Sequence, residues 1–454
     1  MKMSSRLLLT LLAIAVIVFA CALTYALVPT HTRPIASSEP PRSDATSIER
    51  GRYLAVAADC TACHTAPGGK PFAGGLAIDS PLGAIYSTNI TPDRASGIGN
   101  FTLDDFDRAV RHGIDDEGLT LYPAMPYPSY AFMSDEDIAA LYDYVMHAVA
   151  PVSSSAHANG VPWPLSIRRP LAIWRKLFAP SADAPPFNAS RYTDPVVARG
   201  AYLVEGPGHC GTCHTPRAFT LQEKALDDSS NSYLAGGQRI GGWTAVNLRG
   251  NPADGLGDWS KEEIVETLRT ARNPQQAVIG APMNDVVVHS TQYLSDADLQ
   301  AIAAYLKTLT PSTGDKSTFV ANPATAAALA AGHEANRGAE LYVDNCAACH
   351  RTDGEGSPKA LPKVAGNSSV LAEDPSSLIS LVLAGSSLPG TAAAPSPLGM
   401  PGFSWRLTND EVAQLLTFIR SSWGNQASSV SAGDVGRVRA SLDVQSLPKT
   451  SSND

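Results

Sequence analysis

Three places in the chain set two thiols and an imidazole side by side. Asp59–Gly69 reads DCTACHTAPGG, His209–Arg217 reads HCGTCHTPR and Asn345–Asp353 reads NCAACHRTD. Of the 7 cysteines, all but Cys21 belong to these C-x-x-C-H units: Cys60 and Cys63 with His64, Cys210 and Cys213 with His214, Cys346 and Cys349 with His350. Disulfides would use the thiols of an exported chain but leave three adjacent histidines without a purpose. A structural zinc site needs four ligands, commonly from two paired C-x-x-C units, and three separated units with one histidine each do not divide that way. A thioredoxin-like redox pair would need a βαβ setting that is missing here. Covalent haem c accounts for the spacing. Two thiols two residues apart can each add to a vinyl group of one macrocycle, and the next residue then offers an imidazole to the iron. The three units predict three covalently bound haem c groups.

An iron that only carries electrons takes its second axial ligand from the protein, and a methionine thioether in that place raises the potential. The chain has 7 methionines. Met125, in LYPAMPYPSY, lies in a proline-held loop ahead of a helix, whereas Met133 abuts that helix's cap and Met146 lies inside it. Met283, in IGAPMNDV, and Met400, in LGMPGFSW, stand at comparable places in the other two repeats. The stretch after Met283 is longer and contains His289, which leaves a bis-histidine site open there. With both axial positions filled by protein, no open coordination site remains for O₂ or peroxide. The expectation is a redox relay with no catalytic residues of its own, and the sequence shows no G-x-G-x-x-G turn and no nucleophile–base set.

These residues need elements to hold them, and the sequence repeats those elements. Upstream of each unit a short helical pattern opens on Arg-Gly: Arg50-Gly51, Arg199-Gly200 and Arg337-Gly338. A glycine inside a helix costs about 1 kcal/mol against alanine, so its recurrence predicts a close helix–helix contact. Downstream, Ser134 with Asp137, Ser295 with Asp298 and Thr408 with Glu411 stand at N-cap and N3 spacing, and only the last is the standard capping box. Each capped helix carries an aromatic at one offset, Tyr144, Tyr305 or Phe418, expected to pack against the leading helix. Thr102 with Asp105 and Ser260 with Glu263 predict a middle helix in the first two repeats; PSSLISLVLAG at Pro375–Gly385 is a fainter third counterpart.

The fold class that follows is all-α: three tandem cytochrome c domains joined by Pro/Ala-rich linkers after an N-terminal signal or anchor. The divisions are 1–28 signal peptide or membrane anchor, 47–151 domain 1, 152–190 linker, 191–311 domain 2, 312–334 linker, 335–424 domain 3 and 425–454 polar tail. Lys2 and Arg6 ahead of the apolar run from Leu7 to Val28 read as an export signal, cleaved or retained as an anchor, with Cys21 a poor fit to a lipidation site. Every version places the globular part outside the cytoplasm. IRRPLAIWRKLF at Ile167–Phe178 reads as a packed linker segment ahead of a membrane-surface contact. The 454 residues suffice for two to four domains, and 44% hydrophobic with 17% charged residues excludes global disorder. A net charge of −9 gives no electrostatic reason to bind nucleic acid.

CHTAPGGKPFAGGL, STNITPD…GIG, LYPAMPYPSY and MPGFSWRLTNDEVAQLLTFIRSSWGN together resemble the triheme cytochrome c subunits of membrane-bound alcohol, gluconate, sorbitol and fructose dehydrogenases. The resemblance runs from about Glu49 to Arg439. It implies the same haem ligands: Cys60, Cys63, His64 and Met125; Cys210, Cys213, His214 and Met283; Cys346, Cys349, His350 and Met400. It also implies partners. A flavin- or quinone-cofactor catalytic subunit on the periplasmic face of the cytoplasmic membrane would supply electrons, ubiquinone would receive them, and a small third subunit is allowed for. The alternative reading is a free-standing periplasmic carrier or a donor to a terminal oxidase. Co-purification with a large dehydrogenase separates the two.

Overall fold

The structure is a computed structural model describing residues 5–28, 30, 32–35, 44–240, 242–252, 254–273, 279–312 and 319–446. Lys2 of the export signal and the end of the polar tail lie outside the described residues. The chain forms two compact units: Met1–Asn188 with Glu205–His209, and Ala189–Val204 with Cys210–Asp454. The first holds the first repeat. The second holds the other two.

Each repeat is built on one helix pair. The leading helices are Ala45–Ala57, Pro195–Glu205 and Arg337–Asn345; the closing helices are Asp135–His147, Asp296–Leu306 and Asn409–Ser421. The pairs cross at the repeated glycine. A Cβ on Gly51 would lie 1.9 Å from the Ala140 carbonyl oxygen, one on Gly200 1.9 Å from that of Ala301, and one on Gly338 2.5 Å from that of Gln414. The expected aromatics sit at the same crossings, with Tyr144, Tyr305 and Phe418 Cβ at 2.7, 2.8 and 2.7 Å from those positions. The closing helices start where their caps require. Ser134, Ser295 and Thr408 each accept the N3 amide, and Thr408 with Glu411 forms the reciprocal box. The middle helices Leu103–His112 and Lys261–Thr270 open on capping boxes at Thr102/Asp105 and Ser260/Glu263, and Ser376–Ala384 is the third counterpart.

Mostly helical describes the structure better than all-α. Three antiparallel strand pairs accompany the helices among the described residues: Ala77–Ile78 with Ile85–Tyr86, Arg239–Ile240 with Trp243–Thr244, and Ser386–Leu388 with Leu398–Met400. The stretch 152–190 is no bare spacer. Asn89 donates to the Val152 carbonyl at 2.7 Å, Gly160 to that of Ala84 at 2.7 Å, and Arg168 pairs with Asp115 at 2.6 Å, all within the first unit. Its helix Leu171–Phe178 packs on the N-terminal helix Ser5–Leu27, where Lys176 donates to the Tyr25 and Val28 carbonyls at that helix's C-terminal end. Among the described residues no helix is long and apolar enough to cross a membrane; several side chains of the N-terminal helix are not among them.

Part of the polar tail also has structure. Helix Ala432–Ser446 packs on the middle and closing helices of the third repeat. Val430, Val435 and Val438 join Leu341, Tyr342, Ile379, Leu415 and Trp423 in one core, each buried valine adding roughly 1.5–3 kcal/mol. Arg420 is fully buried there. It donates to the carbonyls of Val370, Ala372 and Ser428 at 2.6, 2.9 and 2.8 Å, so its charge is met by dipoles.

Candidate haem-binding sites

Each C-x-x-C-H unit folds as a single helical turn: Cys60–Cys63, Gly211–His214 and Ala347–His350. A three-residue separation on such a turn puts both thiols on one side. In the first two repeats the residue before the unit has a positive φ, Asp59 at 50° and His209 at 37°, which turns the chain into the motif past the end of the leading helix.

The histidines are held in one way three times. His64 Nδ1 lies 2.7 Å from the Thr88 carbonyl oxygen, His214 Nδ1 2.7 Å from that of Val246, and His350 Nδ1 2.8 Å from that of Pro362. A carbonyl only accepts, so Nδ1 carries the proton and Nε2 keeps its lone pair. That tautomer and fixed ring are what an axial iron ligand requires. Burial pushes all three histidine pKa values down, against a smaller upward pull from the carbonyl bonds, so the rings stay neutral at pH 7. The strand pairs explain two of the bonds. Thr88 and Val246 each lie two residues past the second strand of their pair.

The thiols suit the same group. None of the six is joined in a disulfide. Burial pushes Cys60, Cys210 and Cys346 up to about 12, so their environments disfavour a thiolate. A zinc site needs thiolate ligands. A thioether to a vinyl carbon is uncharged and costs nothing to desolvate. Among the described residues no group of three or more His, Cys, Asp or Glu is arranged to hold a metal ion directly. The residues present therefore fit a covalent haem at each unit.

Two of the three methionines share a core with their unit. Met125 sits in the turn before helix Tyr127–Tyr130, its amide donating to Tyr122 at 3.2 Å, and packs against the core that Cys60 also touches. Met400 ends the strand Leu398–Met400 opposite Ser386 and packs against the core containing Cys346. Met133 is fully buried filler, and Met146 packs against the first core from the closing helix. Met283 differs from expectation in its setting: it lies within helix Ala281–His289 and not in a loop. His289 ends that helix, six residues on and about 240° around the axis, so the two side chains leave on different faces.

Sequence reasoning missed the partner of the repeated arginine. Arg50 pairs with Asp137 at 2.5 Å, Arg199 with Asp298 at 2.8 Å and Arg337 with Glu411 at 3.1 Å. Each ties the leading helix to the N3 acid of its closing helix, just beyond the cap. The signal was present, since Arg-Gly and the N3 acid recur together in all three repeats.

With this geometry in view, the chain compares with known proteins as follows. The cytochrome c family model matches residues 48–148, 197–310 and 335–423. The gluconate 2-dehydrogenase cytochrome c subunit of Pantoea cypripedii is 53% identical, over 88% of this chain and 90% of its own. The cytochrome c subunit of the quinone alcohol dehydrogenase of Gluconacetobacter polyoxogenes is 49% identical, over 89% and 86%. The fructose dehydrogenase cytochrome subunit of Gluconobacter japonicus is 38% identical, over 93% and 88%. The chain belongs to the cytochrome c family.

Proposed function

We propose that this cytochrome c is the electron-transfer subunit of a dehydrogenase complex that oxidises an alcohol, sugar or sugar acid at the periplasmic side of the cytoplasmic membrane, and that it hands the electrons to ubiquinone. The reading rests on one observation above others: the threefold recurrence of a histidine whose Nδ1 is tied to a backbone carbonyl beside a pair of cysteines that form no disulfide. Haem c supplies a one-electron Fe(III)/Fe(II) couple. Cys60, Cys63, Cys210, Cys213, Cys346 and Cys349 hold the three groups covalently. His64, His214 and His350 would each hold the iron through one imidazole nitrogen, and Met125, Met283 and Met400 would hold it through their thioethers. With both ligands supplied by the protein, the iron would offer no position to substrate, so oxidation is assigned to a catalytic partner. Relatives named as cytochrome subunits of gluconate, alcohol and fructose dehydrogenases support that division of labour. The exported location rests on the N-terminal sequence and on covalent haem itself.

The test is reconstitution. The purified cytochrome should be reduced by ascorbate and not by gluconate, ethanol or fructose. Adding the cognate catalytic subunit with its substrate should reduce it, and a ubiquinone analogue should then reoxidise it. Turnover of such a substrate by the isolated cytochrome, or failure of every quinone analogue to reoxidise the complex, would refute the proposal.

A further inference from the structure

The second attachment turn carries a feature the relay does not use. Gly211 stands between Cys210 and Thr212, where the other units have Thr61 and Ala347. A Cβ there would lie 2.9 Å from Glu223 Oε2 and 2.8 Å from Tyr233 Cε2, so the Glu223 carboxylate rests on the backbone of the turn itself. The Glu223 side chain is 5% exposed. Its Oε1 has the Thr212 hydroxyl at 3.5 Å and the Arg217 guanidinium at 3.8 Å, both long. Arg217 spends its donors elsewhere, on the Leu221 and Thr212 carbonyls at 2.6 and 2.9 Å. Oε2 is buried without a partner. The charged and titratable groups facing the carboxylate are Arg217, from the loop leading to it, and Tyr233 over the same glycine; the turn contributes the Thr212 hydroxyl. Such a site holds a carboxylic acid more comfortably than a carboxylate.

Resting on the reading that Cys210 and Cys213 carry a haem c, we propose that Glu223 is a proton acceptor coupled to reduction at the second repeat, so that this repeat takes up a proton with its electron. The electron would come from the catalytic partner and reduce the haem held by Cys210 and Cys213 by one electron. The proton comes from solvent and forms an O–H bond on the Glu223 carboxylate. The net charge of the site is then the same before and after, which removes the cost of adding a negative charge beside a buried anion. Burial, opposed by Arg217 and Thr212, pushes the Glu223 pKa up to about 7, which places the exchange at neutral pH. By linkage, if reduction tightens proton binding, protonation raises the potential by the same factor.

The experiment is a spectroelectrochemical titration of the full-length holoprotein between about pH 5 and pH 9, after its haem content is fixed by mass. One of three one-electron steps should fall as pH rises, by about 59 mV or more between plateaus, which is tenfold tighter proton binding in the reduced form. In Glu223→Gln that step should become flat and stay near its low-pH value, with the other two unchanged. If the variant loses haem, the wild-type protein still decides: reduction in weak buffer at pH 7 should take up a measurable fraction of a proton. Three haems with three flat steps, or a slope that survives Glu223→Gln, would overturn the coupling and leave the relay standing. An empty second motif would overturn both.

Discussion

Replacing Gly51 with alanine should loosen the first repeat although alanine is the better helix former. The propensity gain is about 1 kcal/mol. Against it stands a methyl group 1.9 Å from the Ala140 carbonyl oxygen and 2.7 Å from Tyr144 Cβ. Ordinary contact begins near 3.4 Å, so the helices Ala45–Ala57 and Asp135–His147 must part by about 1.5 Å. A backbone carbonyl has no rotamer to yield with. Overpacking of this kind costs roughly 1–3 kcal/mol and more where backbone must move, and the separation also weakens the Arg50–Asp137 pair and the Leu54, Ile138 and Leu141 packing. A net loss of about 2 kcal/mol is expected, or roughly 30-fold faster amide exchange in peptides from those two helices. Gly200→Ala should match it, and Gly338→Ala, with its nearest atom at 2.5 Å, should cost less. Gly433→Ala is the control, because its nearest neighbour is a side-chain atom at 3.6 Å. Hydrogen exchange by mass spectrometry on the holoprotein reads all four. Exchange in Gly51→Ala and Gly200→Ala as slow as in the unaltered protein would refute the idea that the glycines exist for the crossing.

The haem count is checked by acid–acetone extraction, after which the processed chain should weigh three haems more than its polypeptide. Met125→Ala and Met400→Ala should each remove a thioether–iron charge-transfer band and lower one potential, because a ligand favouring Fe(II) is lost; an unchanged redox titration in both would sink those assignments. Glu223 also makes stability depend on pH. It holds its proton to about 7 when folded and to the ordinary 4.5 when unfolded, a difference of about 2.5 pH units at roughly 1.4 kcal/mol each. The native state binds the extra proton, so its stability is greatest below 4.5, falls as pH rises through that window and is lower by about 3 kcal/mol above 7. Denaturant unfolding of Glu223→Gln across pH 4 to 9 should lack that fall, and a fall of equal size in both proteins would assign it to other groups.

What was legible in the sequence was local. Thiol spacing, N-cap residues and aromatics at fixed offsets lie within a turn or two of one another, and each has a meaning independent of the rest of the chain. The three cap positions and the three glycine crossings were read that way, and the structure has them. The carbonyls that hold the histidines were out of reach. They lie 24, 32 and 12 residues downstream, and every residue type offers the same carbonyl, so neither spacing nor identity marks Thr88, Val246 or Pro362. Strands two or three residues long are likewise shorter than any periodicity can register. The tail was read as polar, but Val430, Val435 and Val438 are spread along a mostly polar stretch and still gather onto the third core. Met283 was placed in a loop as the counterpart of Met125 and Met400, but Pro282 stands in the first turn of its helix, where a proline gives up only an amide that had no partner there.

The third repeat shows why the same site survives different scaffolding. In the first two repeats the strand pair lies on the histidine side and delivers the Thr88 and Val246 carbonyls. In the third, the carbonyl comes from Pro362 in a loop pinned by the Ser357–Leu361 bridge, and the strand pair instead ends on Met400. The second and third repeats then share surface within one unit. Lys359 pairs with Glu266 at 2.5 Å, Asn284 donates to the Ser387 carbonyl at 3.1 Å, and Ala271 and Val287 pack with Leu388. Leu388 belongs to the strand that pairs with the one ending in Met400, and Val287 lies four residues along the helix of Met283. The elements bearing the two methionines therefore brace each other. A rigid brace of this kind would fix the spacing between the two proposed haem sites, which is the property a relay depends on and a diffusing single-haem carrier has no use for.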